Sequence, residues 1–127
     1  KGNHAEAIAN AEKSYESVLK VICGAQKGNA DKLTKEYTDR KHCHLPATMN
    51  NDGFREKVMM ALPFIRNNSS FDHGAGETPA IITRPLAQLA INLSAAMNTY
   101  LIEEYTSTMD TFEATKATEG ESDKLPF

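Results

Sequence analysis

The chain has no tryptophan, two cysteines, five prolines and seven glycines among its 127 residues, and only 7% of it is aromatic. Runs of β-branched residues are rare, while Ala, Leu, Lys and Glu are frequent, which favours helix over sheet. No stretch approaches the roughly 20 consecutive apolar residues that a membrane span requires. Gly-Lys-Ser/Thr never follows a glycine-rich loop, so DHGAGE (Asp72–Glu77) is not a phosphate-cradling P-loop but a connector. Between Pro85 and Thr115 there is no lysine or arginine at all.

The totals describe one ordinary domain. Apolar residues make up 40% and charged residues 24%, the balance of a globular chain that buries a modest core. Net charge is −3 and the pI about 5.8. A nucleic-acid binder usually shows a basic balance or a basic face, so the expectation is no nucleic-acid partner. The charge is unevenly placed. Lys27, Lys32, Lys35, Arg40 and Lys41 crowd one short region, and Glu103, Glu104, Asp110 and Glu113 lie in the stretch that lacks bases. The basic cluster reads as a docking surface for an acidic partner. The start at Lys1 reads as a processed or trimmed end, such as removal of a targeting segment leaves.

Periodicity gives four helical segments. Ile8, Ala11, Tyr15, Val18, Leu19 and Ile22 recur at spacings of three and four, with Gly24 and Gly28 ending the pattern. Asn29 caps a second, thinner helix carrying Ala30, Leu33 and Tyr37, which fades near His42–His44 ahead of Pro46. A third starts at Asn51 or Asp52 and buries Phe54, Val58, Ala61, Leu62 and Ile65, with Pro63 expected to kink or break it. The fourth opens at Thr83 and Pro85, runs for about 30 residues or roughly 45 Å, and carries Leu86, Leu89, Leu93, Met97, Tyr100 and Leu101. Leu89, Leu93 and Met97 are expected at the centre, facing Tyr15, Leu19, Val58 and Leu62. The expected fold is all-α: an up-down-up-down antiparallel four-helix bundle over residues 1–117, with a long fourth helix and a flexible polar tail over 118–127.

The densest polar motif, RKHCHLPAT (Arg40–Thr48), does not make a metal site by its spacing. His42, Cys43 and His44 are adjacent and diverge on a helix, and Cys23, His73 and His4 complete no zinc pattern. Cys23 and Cys43 are a possible disulfide if the second helix is short enough for the chain to double back. A catalytic thiol is not expected, and Glu103 with Glu104 lacks the E-x-x-H companion of di-iron bundles. No catalytic, metal or cofactor residues are expected, and the chain reads as non-enzymatic. Asn67, Asn68 and Asn92 each open an N-x-Ser triplet, which would mark a secreted or cell-surface recognition domain, the alternative reading.

The segments AEAIANAEKSYESVLKVI, ADKLTKEYTDR, GFREKVMMALPFI and RPLAQLAINLSAAMNTYLIEEY, in a small acidic chain without an initiating methionine, resemble the PsbQ-like extrinsic subunits of photosystem II in their algal and diatom forms. The proline-rich N-terminal arm of the plant members is absent. The resemblance implies a non-enzymatic protein in the thylakoid lumen, peripheral on the membrane complex, that stabilises the oxygen-evolving side by docking on core subunits. The alternative location is extracellular.

Overall fold

The computed structural model describes residues 3–39, 43–69 and 81–120, and the side chains of the last helix as far as Ser107. All the regular structure among the described residues is helical, with no strand among them. The expected tail over 118–127 falls mostly outside the described residues. Helix α1 is His4–Cys23, α2 Ala30–Thr38, α3 Asn51–Phe54, α4 Ala61–Asn67 and α5 Arg84–Gly120; a π-helical turn, Arg55–Met59, joins α3 to α4.

The ends of these helices follow from capping chemistry. Asn3 and Asn29 each accept a backbone N–H three residues on, from Glu6 and Lys32, both at 3.0 Å. Asn50, one residue earlier than expected, does the same for Gly53. Thr83 Oγ1 accepts from the Leu86 N–H at 3.3 Å, so Pro85 falls in the first turn, where its missing donor costs nothing. Gly24, at φ 66°, terminates α1 in the left-handed region. The Ala25 N–H then reaches back to Lys20 O at 2.9 Å and closes the turn.

Pro63 explains the break in the third segment. In a continuous α-helix the residue 63 N–H would donate to Met59 O, but proline has none. The chain widens into the π turn just before it, with the Met60 N–H donating to Arg55 O at 2.9 Å. The Met59 carbonyl is then taken by another helix: Tyr15 Oη donates to it at 2.7 Å, and both residues are fully buried. Burial lifts the Tyr15 hydroxyl above its ordinary range, which keeps it a donor. Tyr15→Phe is therefore expected to cost about 1–3 kcal/mol, because it leaves a buried carbonyl unpaired. In a Pro63→Ala background the restored amide can reach that carbonyl, and the same change should cost measurably less. Urea unfolding of the four proteins checks this; equal costs in both backgrounds would refute the account.

Helix α1 lies at the centre and packs on α5, α2 and α4. Its Ile8, Tyr15, Leu19 and Ile22 meet Leu33 and Tyr37 from α2, Met59 and Leu62 from the third segment, and Ala87, Ala90 and Leu101 from α5. The face of α5 differs from the expected one. Leu89 is 47% exposed and Val58 40% exposed, and Leu93 and Met97 are only half-buried. The buried stripe is Ala87, Ala90, Ser94 and Leu101. Small side chains let α5 approach α1 closely enough for Ser94 Oγ to donate to Ala11 O at 2.9 Å. Asn98 Nδ2 adds a donor to Ser14 Oγ at 3.2 Å. Leucine-rich faces look like core in a sequence, yet here the alanine face is the one another backbone needs.

Candidate functional site

One acid sits where the sequence pattern calls for an apolar residue. Glu12 lies four residues after Ile8 and three before Tyr15, on the buried stripe of α1, and only 7% of it is exposed. Burial disfavours its charge. A hydrogen bond shared with Glu16 and that residue's negative charge act in the same direction, and the nearby Arg66 guanidinium opposes them. The net effect pushes the Glu12 carboxyl up to about 8, so at neutral pH it holds a proton.

The two carboxyls stand at a cleft of about 490 Å³ between α1, the start of α2 and α4. Glu12, Lys13 and Glu16 come from one face of α1, because positions three and four apart align. Arg66 and Asn67 come from the last turn of α4, and Asn29 from the cap of α2. Pro63, which sets the break, also lines the cleft. The wall that carries Arg66 is thus aimed by the same interruption that Tyr15 stabilises. The arrangement combines a neutral acid, a second carboxyl that shares its hydrogen bond, two cations and amide groups. It can hold an anion at Arg66 and Lys13 and exchange protons beside it.

This site was missed in the sequence, where Glu12 and Glu16 count among the solvated charges of α1. The signal was present: an acid inside an otherwise apolar i, i+4, i+7 stripe is costly to bury and calls for an explanation.

The residues singled out in the sequence are not brought to the cleft. Lys27, Lys32 and Lys35 are exposed, and Lys35 pairs with Asp39 at 3.6 Å along α2. Arg40 and Lys41 lie outside the described residues, as do His42 and His73. Cys23 and Cys43 are both thiols, and Cys23 Sγ reaches Leu33 O at 3.7 Å. Cys43 faces Glu104 and the hydroxyls of Tyr37 and Tyr100; burial, then the Glu104 charge, pushes its thiol up, which makes it a poor nucleophile. The His44 N–H donates to Glu104 Oε2 at 3.3 Å, so this end of RKHCHLPAT fastens a loop to α5. No cluster of three metal-ligating side chains occurs among the described residues. No helix among them is long and apolar enough to cross a membrane.

A family model, Abi_C, described as a HEPN-like domain, matches residues 1–105. No curated protein and no solved structure matches the chain. The family match overturns the resemblance to PsbQ-like subunits, and with it the docking role on photosystem II and the thylakoid setting attached to it. That resemblance rested on amphipathic segments, a small acidic chain and a start without methionine, properties shared by unrelated helical domains.

Proposed function

We propose that this chain, which belongs to the Abi_C family of HEPN-like domains, is an abortive-infection, toxin-type domain whose working site is the Glu12–Arg66 cleft, and that the cleft cleaves RNA. The family supports the toxin-type part of the reading. The chemical part is carried by one observation: a carboxyl that keeps its proton at neutral pH beside an arginine in a polar cleft.

Arg66 and Lys13 receive a phosphodiester, with the Asn67 amide as a further donor. RNA supplies its own nucleophile, the 2′-hydroxyl. Glu16 takes the proton of that hydroxyl as its oxygen attacks phosphorus, and Glu12 gives its proton to the departing 5′-oxygen. The P–O5′ bond breaks as the O2′–P bond forms, and the shared hydrogen bond returns the proton to Glu12. DNA lacks the internal nucleophile and is bound without being cut. The net charge of −3 gives little non-specific attraction, so binding rests on the local cations. With two of them engaged, the slope of log affinity against log salt is about −1.4 for a single strand. The finer topology, an up-down-up-down four-helix arrangement with residues 51–67 as one interrupted helix, belongs to this proposal too.

The test is a labelled RNA strand and its DNA counterpart incubated with the purified chain. Arg66→Ala is expected to weaken binding of both. Glu12→Gln should leave binding in place and lower cleavage by about 10²–10⁴-fold. His73→Ala belongs in the same series, because an imidazole seven positions after Arg66 in the sequence is suited to proton transfer near neutral pH. Binding without cleavage would return the chain to the non-catalytic role expected from the sequence. Binding that is indifferent to Arg66 would sink the cleft as the site.

A further inference from the structure

One charged side chain of the cleft has no part in the chemistry proposed above. Asp31 lines it from the first turn of α2. An acid suits a first turn on helix-dipole grounds alone, but this carboxylate has no ion pair among the described residues. The lysine four positions on, Lys35, pairs with Asp39 at 3.6 Å instead. Asn29 lines the same cleft, with its Oδ1 already taken by the Lys32 N–H at 3.0 Å. The group it has left to offer is the Nδ2, a donor. An apolar ledge joins this end of the cleft to Arg66. Met60, Pro63 and Arg66 follow one another at three-residue steps and so share a face. The Thr34 hydroxyl, 3.4 Å from Met60 Sδ, fixes the Met60 end of that face against α2, where Ala30 also lines the cleft.

We infer that this half of the cleft is a base pocket, and that it selects guanine on the nucleotide 5′ of the scissile phosphate. The inference rests on the reading of the cleft as an RNA site. At about 490 Å³ the cleft has the size of a small-ligand pocket, about 300–1,000 Å³, and admits one nucleotide but no duplex. The 2′-hydroxyl and the phosphorus it attacks belong to the same nucleotide, so the base that shares the cleft is the one on that sugar. Its flat face lies on Met60 and Pro63, where a thioether makes favourable contact with an aromatic ring, and its edge is read by hydrogen bonds, as in other single strands. A carboxylate offers acceptors and no donor. Guanine alone presents two adjacent donors to match it, N1–H and the N2 amino group, with the O6 acceptor beside them for Asn29 Nδ2. Adenine and cytosine each place a ring-nitrogen acceptor next to the amino group, and uracil flanks its N–H with carbonyls on both sides. Each of these brings a lone pair against the Asp31 charge, so the same residue attracts guanine and repels the others.

Titration calorimetry of the full chain tests it, with the four ribonucleoside 3′-monophosphates, inosine 3′-monophosphate and inorganic phosphate as probes. Guanosine 3′-monophosphate should bind at least about tenfold tighter than the adenosine, cytidine and uridine compounds, as hydrogen bonds to a charged group allow. Inosine, which lacks the N2 amino group, should fall between. Asp31→Asn, at an exposed position, should erase the guanosine preference and leave binding of inorganic phosphate in place. Equal affinities for the four nucleotides overturn the inference while the RNA reading stands, and so does a preference that survives Asp31→Asn. A guanosine preference without RNA cleavage upholds the pocket and sinks the proposed chemistry. If neither the nucleotides nor phosphate bind, the cleft is no anion site and both readings fall. Should Asp31→Asn lose helicity, the parent's ranking of guanosine, inosine and adenosine decides instead.

Discussion

Glu12→Gln is expected to leave stability nearly unchanged at pH 4 and to raise it by about 3–5 kcal/mol at pH 9. The sign follows from proton counting. The folded state holds the Glu12 proton up to about pH 8, whereas an unfolded chain releases it near the ordinary carboxylate value of about 4.3. Between those limits the folded state binds more protons than the unfolded one, so stability falls as pH rises. Below the lower limit the two states are equally protonated and nothing is lost. Above the upper limit the full cost of a buried charge beside Glu16 is present. Glutamine keeps the shape and the donor of the neutral acid without the option of ionising. Urea unfolding from pH 4 to pH 9 should show the two curves diverging through this window. Parallel curves would mean that the carboxyl is not held neutral, and the proton donor of the proposed mechanism would go with it. Glu16→Gln should recover only part of the effect, because burial is the largest cause of the shift and the Glu16 interactions come after it.

What was legible in the sequence was local. The Asn29 and Thr83 caps, the glycine stop at Gly24 and the break near Pro63 are written in residues whose backbone preferences act over three or four positions. The all-helical class follows from the same information. The partners of each helix face were less legible. Periodicity fixes that α5 has an apolar side, but Ala87, Ala90 and Ser94 compete with Leu89 and Leu93 for the role. The decision lies in how near the α1 backbone comes. The cleft was harder still. Glu12 and Arg66 are 54 positions apart in the sequence, and no local pattern joins them. Only the fold makes one the neighbour of the other. Pro63 contributes to both stories, since the break it imposes frees the Met59 carbonyl for Tyr15 and turns the Arg66 end of α4 toward α1.

The phase of α5 is open to a direct comparison between neighbours in sequence. Leu101 is fully buried among the core residues, and Ile102 is 50% exposed. Both are aliphatic residues of the same size on one helix, and their helical surroundings are alike. Leu101→Ala is expected to cost about 2–5 kcal/mol, from lost transfer free energy together with the cavity left in the core. Ile102→Ala should cost under about 1 kcal/mol, since half its surface already meets water and alanine gains in helix propensity. Had the leucine-rich face been the buried one, the large effect would fall at Leu93, and Leu101 would matter less. Chemical denaturation of the three variants at low concentration, where association does not contribute, distinguishes the two phases. A Leu93→Ala cost exceeding that of Leu101→Ala would show that α5 is turned the other way, and that Ser94 does not reach the Ala11 carbonyl.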